Sequence, residues 1–254
     1  MKIILYISLV THLLFAEETK IYFYSTDINI NNFKSLKISC NEYIRDYGSY
    51  QFQPFSDKET FEKQLRVDNS ILIISSWHYQ KLAKKYNLEA LLVAQKKGTI
   101  TDSKILVGKK NSQMQGFVTS AYDIAYSDEL LLQFTKKQNK KMPVLIVPKE
   151  IDALMSISFG MSSFALVSKD SLNFLKKINP SLTKDFQVFY ESEPKYRILL
   201  ANNILNQNKQ EVITMFTNIS KTLKGKKFLE MIDIEKFTKI SKKDRTKLGD
   251  LKWK

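Results

Sequence analysis

Hydrophobic and polar positions alternate along the chain in a pattern that predicts strands separated by helices. Short apolar runs typical of buried strands recur, and stretches with apolar residues near 3.6-residue spacing lie between them. The predicted strands are 20–25, 50–55, 71–74, 91–94, 116–119, 143–147 and 163–167. The predicted helices are 30–47, 57–67, 79–86, 128–138, 150–159 and 170–178, followed after residue 203 by two helices with a break at 224–227. This alternation predicts an α/β protein with mostly parallel sheets flanked by helices.

Two segments interrupt the alternation and predict a division of the chain. Residues 96–112 are polar and rich in turn-forming residues around one apolar trio, 105–107, and we interpret them as a crossing between two lobes. Residues 185–192 are interpreted as the return crossing. We therefore expect lobe 1 to contain residues 17–95 and 190–254, lobe 2 to contain residues 96–189, and a cleft to lie between the lobes.

The first 16 residues have the pattern of an export signal. Lys2 supplies a positive start, an apolar stretch too short to span a bilayer follows, and Ala16 precedes the acidic Glu17. The alternative interpretation is a buried N-terminal strand. Cys40 is the only cysteine and lies well beyond this segment, so neither a disulfide framework nor a lipid attachment is indicated. We expect cleavage near Ala16 and a mature periplasmic protein that is not inserted in the membrane.

The charge balance is basic, but its distribution does not favour a nucleic-acid partner. The 254 residues include 40 basic and 26 acidic side chains, which gives a net charge of +14. Only four of the basic residues are arginine, the side chain that best matches phosphates and base edges, and the lysines spread over the whole chain. We interpret the excess as a solvated lysine-rich surface and expect no nucleic acid to bind.

The composition also argues against most enzyme classes. The seven glycines are too far apart to form a glycine-rich phosphate loop or a nucleophile elbow. Once the signal is removed His78 is the only histidine, so a multi-histidine metal site is impossible and a Ser-His-Asp arrangement would have to use His78. Paired carboxylates need no sequence signature and stay possible. We expect a binding protein with no catalytic residue, no cofactor and no metal.

Hydroxyl and aromatic side chains follow three predicted strands at positions where parallel sheets bind ligands. Ligands lie outside the carboxyl ends of such strands, next to helix N-termini that favour anions. The residues at these three positions are Tyr24 and Ser25, Ser75, Ser76, Trp77 and Tyr79, and Thr119, Ser120 and Tyr122. The alternative is that the hydroxyls are ordinary helix caps and that Trp77 is ordinary core.

With these segments assembled, the chain resembles the periplasmic substrate-binding proteins of phosphonate, phosphite and phosphate ABC importers. These are two-lobed proteins of the type II periplasmic-binding-protein fold. The stretches that carry the resemblance are SSWHYQKLAKKYNLEALLVA, GFVTSAYD, EIDALMSISFGMSSFALVSKDSLNFLKKINP and FQVFYESEPKYRILLANN. The first is similar to the family's strand end near the ligand, and the second to the strand and Ser/Thr loop that hold the anion.

The resemblance implies a set of ligand contacts and two departures from the family pattern. The implied contacts are Ser76, Thr119 and Ser120 to the anion, Trp77, Tyr79 and Tyr122 as aromatic walls, and Glu191 in the hinge. Ala121 and Tyr122 stand where the family loop has further Ser/Thr residues and a glycine, and Ser162 and Ser163 stand where an aspartate is expected. Because an amino group would need that carboxylate, the second departure disfavours an aminoalkyl phosphonate.

Two functional hypotheses follow from this pattern. In the first, a secreted solute-binding protein closes on a small oxyanion and delivers it to an ABC transporter permease. In the second, the same fold is a ligand-sensing or interaction module that partners a membrane signalling protein, which the altered Ser/Thr loop favours.

Overall fold

Two sheets and a short ribbon organise the part of the chain that the computed structural model describes, which is residues 18–26, 28, 30, 32–65, 70–135, 142–203 and 208–248. The predicted export signal, 1–16, lies outside the described residues. We call each sheet with its helices a lobe.

The sheet of lobe 1 has six strands in the order β13-β4-β12-β3-β1-β2. Its strands are β1 (Thr19–Tyr24), β2 (Tyr50–Pro54), β3 (Ile71–Ile74), β4 (Leu88–Gln95), β12 (Leu199–Asn203) and β13 (Lys236–Lys239). Strand β1 pairs in parallel with β2 and β3, whereas β12 runs antiparallel to both β3 and β4. Apolar side chains are buried on both faces of this sheet, as expected for a sheet with helices on either side.

The sheet of lobe 2 has five strands in the order β10-β6-β9-β7-β8. Its strands are β6 (Lys104–Lys109), β7 (Val118–Ser120), β8 (Val144–Ile146), β9 (Phe164–Ser168) and β10 (Phe186–Glu191). Strand β7 is parallel to β8 and β9, and β6 is antiparallel to β9 and β10. Between the lobes, β5 (Thr101–Asp102) and β11 (Lys195–Tyr196) pair as an antiparallel ribbon on the two connecting segments.

Ten α-helices among the described residues flank the sheets. In lobe 1 they are α1 (Phe33–Ile44), α2 (Lys58–Gln64), α3 (Ser76–Ala83), α8 (Lys209–Asn218), α9 (Leu223–Met231) and α10 (Lys242–Lys247), and in lobe 2 α4 (Ile124–Thr135), α5 (Glu150–Ser158), α6 (Lys169–Ile178) and α7 (Pro180–Thr183). Several begin with a side-chain cap: Asn32, Asp57, Ser168 and Thr222 each accept a backbone N–H from the first turn.

Both segments that we predicted as crossings contain strands of the second sheet. Strand β6 occupies residues 104–109 of the predicted crossing 96–112, and β10 occupies most of the predicted return 185–192. The chain passes between the two sheets at β5, which lies inside the predicted crossing 96–112, and at β11, which follows the predicted return 185–192. Strand β6 contains only three consecutive apolar residues, too few to identify a strand from the sequence. Its stability depends on pairing with the distant β9 and β10, which the sequence does not show.

The C-terminal part also differs from its prediction. Strands β12 and β13 lie where no strand was predicted, and α9 runs through the predicted break at 224–227. The true break is the 3-10 turn Ile219–Lys221, and it explains the glycine in α9. A Cβ on Gly225 would lie 1.9 Å from the Ile219 carbonyl oxygen, so only glycine permits this close approach.

Candidate ligand site between the lobes

The predicted clusters after β1 and β3 lie side by side at the carboxyl edge of the first sheet. Tyr24 is paired with Ile74 in the sheet register, and the Ser25 and Ser75 hydroxyl oxygens are 3.2 Å apart. Helix α3 begins at Ser76, three residues earlier than predicted, so Trp77 lies in its first turn. The two strand ends therefore form one surface, which faces lobe 2.

Trp77 crosses from this surface into lobe 2. Its ring stacks on Tyr126 with a centroid separation of 5.5 Å and an interplanar angle of 11°, and it meets Tyr122 edge-on at 6.4 Å. Trp77 is 5% exposed, and its indole Nε1 has no hydrogen-bond partner within the described part of the chain. We call this contact, between α2 and α3 of lobe 1 and residues 122–126 of lobe 2, the seam.

A charged triad lies beside the aromatic contact in the seam. The Nζ atoms of Lys58 and Lys81, on two helices of lobe 1, lie 2.7 and 2.6 Å from the same Asp123 oxygen, Oδ2. The other carboxylate oxygen, Oδ1, accepts the Tyr126 backbone N–H at 3.2 Å in the first turn of α4. Burial alone would raise the pKa of Asp123, but the hydrogen bonds from both lysines outweigh it and hold that pKa well below its usual range. Asp123 is therefore ionised at neutral pH.

Thr119, predicted as an anion contact, has its hydroxyl turned into lobe 2. Its Oγ1 lies 3.1 Å from the carbonyl oxygens of Ala153 and Phe164, 2.7 Å from the Ser156 hydroxyl and 3.1 Å from the Ser162 hydroxyl. The side chain is fully buried. These partners satisfy the hydroxyl within the lobe.

Ser120 and Tyr122 are likewise engaged inside lobe 2. The Ser120 hydroxyl oxygen accepts the Tyr122 backbone N–H at 3.1 Å and the Ser127 hydroxyl at 2.8 Å. The Tyr122 hydroxyl donates to the Glu150 carboxylate. The hydroxyl groups of this loop therefore bond within lobe 2.

A second carboxylate of the chain, that of Glu150 in α5, lies at the start of helix α6. It accepts the Ser168 backbone N–H at 3.0 Å, the Ser168 hydroxyl at 2.5 Å and the Ser171 hydroxyl. The Lys104 ammonium is 3.8 Å from Oε1 and lies 4.8 Å over the Tyr122 ring. Glu150 and Lys104 are both buried. A buried charge pair with this many hydrogen bonds orients the elements around it.

Two other predicted residues of α3 point in different directions. The Ser76 hydroxyl donates to the Tyr196 carbonyl oxygen in the interlobe ribbon at 2.5 Å. The Tyr79 hydroxyl donates to the Leu88 carbonyl oxygen and accepts the Ala90 N–H, within the core of lobe 1. The Ser76 side chain thus points to the ribbon between the lobes, whereas the Tyr79 side chain points into the core of lobe 1.

The remaining predicted residues lie away from the seam. Ser162 and Ser163 precede β9, at its amino end, whereas the seam lies at the carboxyl ends of the strands. Glu191, at the end of β10, is exposed and pairs with Lys169 at 2.9 Å; this hydrogen bond lowers the Glu191 pKa. The structure brings Ser25, Ser75 and Trp77 together, but Ser162, Ser163 and Glu191 lie elsewhere.

A cavity of 570 Å³ opens beside the Trp77–Tyr126 stack. It lies between α3 and the interlobe ribbon, and Ser76, Trp77, Gln80, Tyr126, Lys195 and Tyr196 contribute to its wall. This volume is within the range that small-molecule sites occupy. The cavity shares Trp77 and Tyr126 with the seam, and its wall also includes the side chains of Glu193 and Asp244.

His78, next to Trp77, is buried beneath the seam. Burial lowers its pKa to about 4, although the Glu62 carboxylate at 2.8 Å acts in the opposite direction. Its ring stacks on Trp77 with a centroid separation of 4.9 Å. His78 is therefore a neutral packing residue at neutral pH.

Neither a metal site nor a membrane span is found in the described ranges. No group of three or more His, Cys, Asp or Glu side chains there could hold a metal ion. No helix there is both long enough and apolar enough to cross a membrane.

The sequence did not single out the charged residues of the seam. Lys58 and Lys81 belong to a set of 40 basic residues, and no local pattern separates them from the others. Asp123 caps α4, but the helix was predicted to begin at 128 and begins at Ile124, so its position as a capping residue was missed. Glu150 offered only a weak signal, in the first turn of α5.

Comparison with known proteins identifies the fold. No family model matches the chain, and no curated protein sequence matches it. Among solved structures, the binding protein of a Pseudomonas aeruginosa ABC phosphonate transporter superposes with a TM-score of 0.69 at 13% identity, covering 92% of this chain and 86% of that one. A Prochlorococcus marinus protein, PhnD1, in complex with methylphosphonate gives a TM-score of 0.64 at 13% identity, with 91% and 96% covered.

A third similar structure belongs to another functional class. A histidine kinase sensor domain with similarity to periplasmic binding proteins gives a TM-score of 0.56 at 13% identity, with 87% of this chain and 98% of that chain covered. The fold is therefore that of the two-lobed periplasmic binding proteins, which confirms the predicted fold and the predicted resemblance. The similar proteins include both transporter components and a sensor domain, so this fold serves both roles.

Proposed function

We propose that this chain is an exported solute-binding protein that closes on a small oxyanion of the phosphate, phosphite or phosphonate class for an ABC importer. The Asp123 triad is the observation that carries the proposal. Two ammonium groups from lobe 1 and one backbone N–H from lobe 2 already hold the two oxygens of one carboxylate there.

A phosphate or phosphonate oxygen needs the same kind of donor that the Asp123 carboxylate uses. Ammonium groups and N–H groups at a helix start both form charge-assisted hydrogen bonds to such oxygens. The adjacent 570 Å³ cavity gives space for the rest of the ligand. Trp77, Tyr126 and Tyr196 would shield it from water, which strengthens the charged contacts. The similar transporter proteins support the same ligand class.

Thermal-shift measurements with phosphate, phosphite, sulfate and methylphosphonate test this proposal. A ligand that binds only the folded chain raises the melting temperature. We expect a shift with at least one of these anions, and we expect its loss in the double variant Lys58→Gln, Lys81→Gln. The matched control is Lys176→Gln, Lys177→Gln, which removes the same charge from the exposed end of α6.

A second candidate is favoured by one specific feature, the side chains that already fill the seam. Trp77 is seated in lobe 2, and the Thr119 and Ser120 hydroxyls are engaged internally. Hydroxyl groups engaged inside the lobe leave fewer donors for an anion, and an interaction module that partners a membrane signalling protein would not need those donors. This candidate predicts no thermal shift with any of the four anions.

Export is a separate part of the proposal. The mature protein should begin at or near Glu17 and occur in the periplasm. N-terminal sequencing of the protein from a periplasmic extract checks this, and a sequence that begins at Met1 would count against it.

A further inference from the structure

The charged and aromatic contacts of the seam are made by groups of the two lobes themselves. We propose that the Asp123 carboxylate occupies the anion site between the lobes and holds the lobes closed when no ligand is bound. An external oxyanion must displace this carboxylate in order to bind. The first part concerns the closed state itself, whereas the displacement rests on the proposed function.

The hydrogen bonds of Asp123 reach both lobes. Its Oδ2 atom binds Lys58 of α2 and Lys81 of α3, and its Oδ1 atom binds the Tyr126 N–H of α4. The Asp123 side chain is 10% exposed, whereas the lysines are 33% and 45% exposed. Water therefore screens the charge of Asp123 less than the charges of the two lysines. Both ion pairs of the triad depend on the Asp123 charge.

The aromatic part of the closure depends on the same approach of the lobes. Trp77 belongs to a buried cluster whose other members all lie in lobe 2: Leu106, Val118, Tyr122, Leu130, Leu131, Phe134, Met142, Phe164 and Leu166. If the lobes separate, Trp77 leaves this cluster and meets solvent. Its exposure therefore reports the state of the seam.

Acrylamide quenching of Trp77 fluorescence in the ligand-free protein tests the closure. The only other tryptophan, Trp253, is replaced by phenylalanine in every variant so that the signal is specific. Asp123→Asn removes the charge but keeps an oxygen for the Tyr126 N–H. We expect the ratio of closed to open protein to fall roughly tenfold or more, as for a lost hydrogen bond between charged groups, and quenching to increase.

Two further variants separate the charge of Asp123 from general effects. Glu129→Gln removes one acidic charge from the same helix outside the seam, and its quenching should match the parent. Lys58→Gln with Lys81→Gln should reproduce Asp123→Asn, and all three substitutions together should add little, since they remove one interaction. Urea unfolding of each variant confirms that it is folded. Equal quenching in the parent and in folded Asp123→Asn would overturn the closure.

Phosphate titration by calorimetry tests the displacement. Without the competing carboxylate, Asp123→Asn should bind phosphate roughly tenfold more tightly than the parent, and adding Lys58→Gln and Lys81→Gln should abolish the gain. Equal phosphate affinity in the parent and in Asp123→Asn would overturn displacement. If Asp123→Asn opens the seam but no variant binds any of the four oxyanions, the built-in closure stands and the proposed oxyanion function falls.

Discussion

The two faces of the seam treat negative charge differently. In lobe 2, the start of α4 at the seam holds the Asp123 carboxylate, and the start of α6, inside the lobe, holds the Glu150 carboxylate that also contacts Tyr122. On the lobe 1 face, α3 has no acidic residue in its first turn and no side-chain cap, and Lys58 and Lys81 add positive charge. An external anion would therefore find cations on lobe 1 and competitors on lobe 2.

This difference shows that helices which follow parallel strands in both lobes can have different chemistry at their N-termini. Helix starts next to parallel strands favour anions wherever they occur. In lobe 2 the chain supplies those anions itself, so the same geometry holds the protein together. The following variants test how far the two faces differ, beginning with the largest expected effect.

Glu150→Ala should cause the largest loss of stability, because Glu150 is the buried carboxylate of lobe 2. The change removes the partner that faces the buried Lys104 ammonium and the acceptor of three hydroxyl groups. Breaking a buried charge pair costs about 3–5 kcal/mol in the free energy of unfolding. Urea unfolding measures this, with Glu129→Gln as the control.

Glu150→Gln sharpens the same test. The amide keeps one acceptor oxygen but loses the charge, so its cost should lie between those of the control and Glu150→Ala. A Glu150→Ala protein with the midpoint of the parent would show that the carboxylate is dispensable to lobe 2.

Trp77→Ala should have the next largest effect and tests the aromatic contact between the faces. Removing a buried tryptophan costs about 3–5 kcal/mol, and Trp77→Phe should cost less. Urea midpoint and phosphate affinity are measured on the same protein. A large drop in midpoint with unchanged affinity would make the residue a packing junction, and weakened affinity would make it a wall of the ligand site.

The sequence predicted the alternation of strands and helices well, because short buried runs and helix caps are local signals. It failed at β6, β12 and β13, whose stability depends on pairing with distant strands. Strand β13, with the sequence KFTK, buries only Phe237, so no local pattern could identify it.

The candidate site was predictable in location but not in its contacts. Strand ends marked Ser25, Ser75 and Trp77, which the structure brings together. The direction in which a hydroxyl points depends on the neighbouring helix, so the internal partners of Thr119 could not be read from the sequence. The pairing of Lys58 with Asp123 links residues 65 positions apart and has no local signal.

His78 makes lobe 1 sensitive to mild acid. Its pKa is lowered to about 4 by burial, so in the window between pH 6.5 and 4 the unfolded chain binds the proton and the folded chain does not. Stability is therefore lost as the pH falls through this window. From pH 7 to 5 the parent should lose roughly 1–2 kcal/mol more than His78→Gln in urea unfolding. Parallel losses in both proteins would mean that the imidazole titrates normally.

Thr119→Val should have the smallest effect and decides between two roles for the lobe 2 loop. The hydroxyl has internal partners within 3.1 Å, so its removal should cost about 1 kcal/mol of stability and leave phosphate affinity unchanged. Phosphate affinity is also measured for Ser76→Ala, which removes a hydroxyl group from the lobe 1 face. If Thr119→Val instead weakens phosphate binding roughly tenfold, as loss of a hydrogen bond to a charged ligand would, the hydroxyl turns toward the ligand on binding. Lobe 2 would then contribute donors as well as competitors, and the two faces would be more alike than these contacts indicate.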